Sequence, residues 1–155
     1  GLESVGLRYF NVLGARQDPN GTYAAVIPRW FFEFQRGVRP TIFGDGETTR
    51  DFCPVEDIVQ ANLLAATAPP EACGEVYNVA LGRSTPLNQL YSMIRDLVAA
   101  DGVDCAGWEP DFGPFRAGDV RHSRADIARA WTMLGFRPSE DITGALRRAR
   151  PPVLG

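Results

Sequence analysis

Lysine is missing from this chain of 155 residues: all 16 of its basic residues are arginine. That excludes a phosphate-loop lysine, a Schiff-base lysine and a Tyr-x-x-x-Lys proton relay carried by the chain itself, because each needs a tunable ammonium and a guanidinium keeps its charge. Histidine is nearly missing too. The single copy, His122, lies in Arg121-His122-Ser123-Arg124 with Asp119 and Asp126 close in sequence. No nucleophile is spaced to use it as a base, so a polar loop position or a helix start is the plainer reading. The cysteines number 3, an odd count with no Cys-x-x-Cys, which suggests neither a disulfide framework nor a zinc site. Idle thiols in a reducing cytoplasm are expected. No apolar run approaches the roughly 18 residues of a membrane span, and the opening residues have no basic n-region or apolar h-region of a signal peptide. A net charge of -3 gives no basic footprint for nucleic acid or an anionic membrane surface. A complete G-x-G-x-x-G is also lacking. Gly44-Asp45-Gly46-Glu47-Thr48-Thr49 has no third glycine and no helix pattern behind it, so it reads as a turn.

What is present is ordinary globular composition, 45% hydrophobic and 23% charged, in a length that suits about one domain. Val5 to Asn11 reads as a short strand closed by Gly14, followed by turn chemistry from Arg16 to Gly21. From Tyr23 an amphipathic helix is predicted, with Val26, Ile27, Trp30, Phe31 and Phe34 on one face, Pro28 in the first turn and Gly37 after its end. Thr41 to Phe43 reads as a strand, and a second short strand follows the glycine turn. Asp57 begins or caps a helix that Pro69 and Pro70 end. Glu75 to Ala80 alternates like a strand. Thr85 is the expected cap of a helix with Pro86 at its first position. Ala106 to Gly118 reads as loop. Ser123 precedes a predicted helix that places Ile127, Ala130, Trp131 and Leu134 on one face, stopped by Gly135, and Asp141 to Arg148 is a last short helix. The sum is mixed α/β, with too few βαβ units for a whole doubly wound sheet.

Two arginines stand out, in Arg50-Asp51 and Arg116-x-x-Asp119, each beside flexible backbone. A guanidinium fork matches phosphate oxygens, and two forks converging from different loops make a diphosphate clamp. Two surface arginines in local ion pairs satisfy the same spacing.

Taken in order, LRYFNVLGARQDPNG, AAVIPRW, FGDGETTRDF, VEDIVQAN, EVYNVALG and FRAGDVRHSRAD resemble the carboxy-terminal half of nucleotide-sugar epimerases and dehydratases, the extended short-chain dehydrogenase/reductase family. The pattern is most similar to bacterial UDP-N-acetylglucosamine 4-epimerases and extends over roughly residues 5 to 148. The resemblance implies an α/β fold: the substrate-binding portion of such an enzyme over 1–150, with 1–13 as a late Rossmann strand and loop, and 151–155 as tail. The amino-terminal Rossmann half, with its Gly-rich loop, catalytic Ser or Thr and Tyr-x-x-x-Lys, has no counterpart here, so the chain looks like a piece of something longer.

By the same resemblance, Tyr9 and Phe10 would lie near the nicotinamide, and Asn11 would bond the substrate diphosphate. Ala25 and Val26 would meet the nucleotide through backbone N–H groups. Thr41 and Phe43 would hold the uracil, Arg50 and Arg116 would grip the diphosphate, and Asp119 would accept from the ribose hydroxyls. Ser123 matches a position where related epimerases carry a bulky tyrosine; a small residue there would admit N-acetylated sugars, whereas a helix cap is its bland role. Asp57 looks structural. The implied partners are a UDP-sugar such as UDP-GlcNAc or UDP-GalNAc, the Rossmann half, and in some settings a second copy. NAD would belong to the intact enzyme, with none held by this chain alone, no catalytic residue and no metal. Surface polysaccharide precursor synthesis is the implied setting. A dehydratase or decarboxylase, or a stand-alone non-catalytic binding or interaction module, remains open as the alternative.

Overall fold

The computed structural model describes residues 3–21, 25–139 and 141–152. Tyr23 and Ala24, where the first helix was expected to begin, and the end of the tail lie outside them. The opening run is not one strand but two: β1 (Gly6–Tyr9) and β2 (Asn11–Leu13). They part at Phe10 because they join different partners. β1 pairs in parallel with β6 (Val76–Val79), and β2 pairs in parallel with β5 (Phe52–Pro54). β3 (Thr41–Phe43) pairs in parallel with β8 (Asp111–Gly113), and β4 (Thr49–Arg50) pairs antiparallel with β7 (Thr85–Pro86).

Helix α1 (Val26–Gln35) buries Ile27, Trp30, Phe31 and Phe34, the predicted stripe. Arg36 ends it and Gly37 follows at φ 69°, the left-handed conformation that lets the chain turn away from a helix end. Its apolar face meets α3 (Leu87–Ala100), which buries Leu90, Tyr91, Ile94 and Val98. Tyr91 is met edge-on by Trp30 at 5.7 Å and Phe34 at 5.1 Å between ring centroids, the separation at which aromatic pairs attract beyond simple burial. α4 (Ile142–Ala149) closes this core with Leu146, and Asp141 caps it by accepting from the Gly144 amide at 3.0 Å. A second core under α2 (Val55–Ala66) gathers Ala61, Tyr77, Val79, Leu134 and Phe136.

Several local expectations fail for one reason: tertiary hydrogen bonds outbid local capping. Thr85 does not cap α3; it is buried in β7, its backbone paired with Arg50, and Pro86 is the residue before the helix. Asp57 sits in the first turn of α2 rather than at its start, fully buried, and accepts from the Ser139 amide at 3.0 Å. The Gly- and Pro-rich stretch from Ala106 to Gly118 is not all loop, since β3 recruits residues 111–113 as a partner strand. No helix begins at Arg124. The chain takes no regular structure from Ser123 to Ile127, helical residues begin at Ala128, and a helical turn with π-type bonding covers Ala130–Leu134 before Gly135 at φ 71°. Ala130 and Leu134 are buried as expected, but Trp131 points outward under Arg137, whose guanidinium carbon lies 3.5 Å from the ring centroid.

The turn Gly44–Thr48 is tightly packed. Gly46 has φ 79°, and a Cβ there would stand 1.9 Å from Asn88 Oδ1. Asn88 is held in turn by the Asp45 carbonyl at 3.2 Å and Glu47 Oε1 at 3.0 Å. Gly46→Ala should therefore cost about 1–3 kcal/mol of stability through the backbone alone. Urea unfolding measures it; a loss below about 0.5 kcal/mol, the scale of an ordinary surface change, contradicts the packing described.

Candidate functional site: an arginine-lined cleft

A cleft of about 280 Å³ opens between β2, the start of α1, β3, β4 and the segment that follows β8. That is near the lower end of small-molecule sites, roughly 300–1,000 Å³. Its floor is Trp30 and Phe52, both buried in the first core. Asn11 and Val12 enter from β2, and Ala25 and Val26 from the start of α1. Ala25 offers no side-chain cap, and the first turn holds no acidic residue. Among the described residues nothing caps it, so the helix presents the Val26 and Ile27 N–H groups and the positive end of its dipole to the cleft.

Thr41 and Phe43 form the wall opposite, on β3. The Arg116 guanidinium carbon lies 3.9 Å from the Phe43 ring centroid, a cation–π stack. Arg50 enters from β4, its side chain only 17% exposed. It donates to the Thr49 carbonyl at 2.9 Å and the Val120 carbonyl at 2.5 Å, and pairs with Asp119. Eight of the nine substrate-contact residues expected from the sequence thus share one cleft: Asn11, Ala25, Val26, Thr41, Phe43, Arg50, Arg116 and Asp119.

Ser123 is not among them. It is half-buried beside β4, its amide donating to the Thr49 carbonyl at 3.2 Å. Tyr9 and Phe10 also stand apart from the cleft. Tyr9 is 43% exposed with its hydroxyl bonded to the Asn62 side chain, and the Phe10 amide donates to the Val79 carbonyl at 3.1 Å.

The sequence reading missed Arg29, which lines the cleft while pairing with Glu33 at 2.8 Å. Its place in the first turn of α1, three residues after Val26, was the available signal, since residues three apart share a helix face. Arg29, Arg50 and Arg116 thus face one cavity against a single carboxylate, Asp119. Cys53 lies outside the cleft; burial first, then the charges of Asp57 and Asp51, push its thiol up to about 12, too high for a nucleophile. No group of three or more His, Cys, Asp and Glu suited to a metal occurs among the described residues. No helix among them is long and apolar enough to cross a membrane.

The model of the NAD dependent epimerase/dehydratase family matches residues 1–80. The chain belongs to that family. Its fold is the mixed α/β carboxy-terminal portion of the extended short-chain dehydrogenase epimerases. UDP-glucose 4-epimerase of Mycolicibacterium smegmatis is 39% identical over 128 residues, covering 83% of this chain and 38% of that protein. The crystal structure of UDP-glucose 4-epimerase with UDP-glucose from Thermotoga maritima matches at a TM-score of 0.85 and 39% identity, over 96% of this chain and 45% of the other. UDP-N-acetylglucosamine 4-epimerase from Methanobrevibacter ruminantium, in complex with UDP-N-acetylmuramic acid, matches at 0.82 and 40%, with the same coverage of 96% and 45%. The chain therefore spans less than half the length of these epimerases.

The residues present do not fit an NAD site of their own. Among the described residues, no helix starts behind a glycine-rich turn: α1 follows Ala25, α2 Pro54, α3 Pro86 and α4 Asp141. A dinucleotide pyrophosphate needs such a turn.

With no helix starting at Arg124, Ser123 caps none there, and no hydrogen bond among the described residues uses its hydroxyl. Ser123→Ala should change stability by less than about 0.5 kcal/mol. A loss near 1 kcal/mol in thermal or urea unfolding, the scale of a lost cap, would restore the capping role.

Proposed function

We propose that this chain is the UDP-sugar-binding part of a nucleotide-sugar 4-epimerase, acting on UDP-N-acetylglucosamine or UDP-glucose. The observation that carries the reading is the convergence of Arg29, Arg50, Arg116 and an uncapped helix start on one cleft with an aromatic wall. Three guanidinium groups and free N–H donors suit a diphosphate, and Phe43 with Thr41 suits a flat base. Asn11, its Nδ2 bonded to the Asp51 carbonyl at 2.8 Å, has a second amide hydrogen to donate to the same anion. Asp119 takes the ribose hydroxyls once Arg50 turns from it to phosphate. The likeness to epimerases solved with UDP-sugars supports the assignment.

The chain supplies no hydride acceptor and no proton relay, so no step of the epimerisation is assigned to it. It anchors the nucleotide while the sugar turns, which places binding energy away from the reacting carbon. The sugar end projects toward Ser123, Tyr9 and Phe10, where the Rossmann half would bring the cofactor. Val55, Val59 and Leu63 form a stripe one helical turn apart on α2, exposed by 40%, 55% and 65%. Tyr9, tied to Asn62 of the same helix, stands beside it. We assign this face to the part of the relatives that the chain does not span. The intact enzyme would work in the cytoplasm on precursors of surface polysaccharide.

Calorimetry with UDP tests the cleft. The chain should bind UDP and release no epimerised product from UDP-GlcNAc. Arg50→Ala and Arg116→Ala should each weaken binding by about 1.5–3 kcal/mol, the scale of a lost charge-assisted hydrogen bond. The Arg50 loss should be the larger, because its side chain is the more buried of the two. Unchanged affinity in both variants would leave the arginines as ion pairs and stacking groups only.

Ser123 tests the sugar. In a protein joined to the Rossmann half, Ser123→Tyr should lower kcat/KM for UDP-GlcNAc at least tenfold, about 1.4 kcal/mol, and for UDP-glucose much less. A constant ratio between the two substrates removes Ser123 as the residue that admits the acetamido group.

A further inference from the structure

Asp51 is fully buried, and the cleft reading gives it no ligand to touch. It stands at the one-residue step between β4 and β5, where the chain passes from its pairing with β7 to its pairing with β2. Its backbone carbonyl accepts from Asn11 Nδ2. Its carboxylate Oδ2 accepts from the Ala125 amide at 2.9 Å. Burial raises the Asp51 pKa, offset in part by the amides of Ala125, Arg83, Leu81 and Gly82. The turn amides lie near the group without completing a hydrogen bond to Oδ1, which is left unpartnered. A carboxylate kept in so dry a place is costly unless it holds something.

What it holds is the end of the segment that carries Arg116 and Asp119. The start of that segment is fixed by β8 on β3. Its exit runs along β4 as a short parallel ladder: the Thr49 amide donates to the Arg121 carbonyl at 2.9 Å, and the Ser123 amide to the Thr49 carbonyl at 3.2 Å. The next donor along, Ala125 N–H, would need a backbone acceptor at residue 51. The Asp51 carbonyl accepts from Asn11, and the Ala125 amide goes to the Asp51 side chain instead. Residues 114–122 are otherwise exposed, apart from the cation–π stacks of Arg116 on Phe43 and Arg121 on Phe115 and the contacts of Arg50, Asp45 and Thr49. Two tethered ends and an exposed middle make the geometry of the middle depend on the tethers.

We propose that Asp51 is a positioning residue: its buried carboxylate, by completing the ladder at Ala125, sets the 114–123 segment across the cleft and so places Arg116 and Asp119 against Arg50 for the nucleotide diphosphate. This rests on the reading of the cleft as a nucleotide-sugar site, but the tether itself is a property of the chain without ligand.

Residue-resolved amide exchange on the chain, with and without UDP, separates the two. In the unaltered chain the Ala125 amide should exchange at least 100-fold more slowly than those of Arg116 to Gly118. Asp51→Ala should speed exchange across 114–125 at least tenfold, leave α1 and α3 within threefold, and raise the Kd for UDP at least tenfold. Asp51→Asn, which keeps an acceptor of the same shape, should restore both the protection and the affinity to within about threefold. An unprotected Ala125 amide in the unaltered chain overturns the proposal, and that measurement stands even if Asp51→Ala does not fold. Exchange that is unchanged in Asp51→Ala, or that rises equally in α1 and α3, also overturns it. A chain that shows the tether but binds no UDP overturns the nucleotide reading of the cleft and leaves the tether established.

Discussion

The hydrogen bonds of the short run Thr49–Pro54 hold the cleft together. In these residues the backbone meets β7 on one side, β2 on another and the 121–123 segment on a third. The residues that face the cavity come from positions as far apart as Asn11 and Asp119, and no helix or hairpin joins them locally. Parallel pairing between distant strands is the way such segments meet, since buried backbone groups at such a junction need partners. Where the ladder runs out of carbonyls, a buried side chain continues it.

Arginine suits this arrangement better than lysine. A guanidinium can be held by carbonyls and a carboxylate at once, as Arg50 is, or laid flat on an aromatic ring, as Arg116 is on Phe43. Both groups are thus oriented by the chain itself, and in the reading proposed above a phosphate would replace partners already in place. Less side-chain freedom is then lost on binding than for an unrestrained cation. The helix start beside them adds donors that cannot move.

The chain's thiols are buried or half-buried, its one histidine lies on the surface against Thr49, and its glycine turn faces Asn88 rather than a helix. The cleft offers charge, shape and donors, and no group poised to take a proton. The two solved epimerases named above, which the chain matches, are over twice as long, and in the proposed reading this part binds and orients.

Much of this was legible in the residues. The apolar stripe of α1, the strand at 41–43, the short helix after Asp141 and the turn at 44–48 follow from spacing and composition, because each is decided by neighbours within a few positions. Lysine's absence was enough to exclude a Tyr-x-x-x-Lys relay. The two arginines were visible, but spacing alone left them as surface ion pairs or a clamp. Their convergence, with Arg29 added, was decided by tertiary structure, since it depends on strand pairs that bridge dozens of residues. So were the failures. Thr85, Asp57 and Ser123 carry the local marks of caps, yet each gives its bonds to a distant strand or loop, and Asp51 would pass for half of an exposed ion pair beside Arg50. Sequence determines what each side chain can offer; which partner it meets is set by the competition among distant donors and acceptors, and only the folded chain settles that.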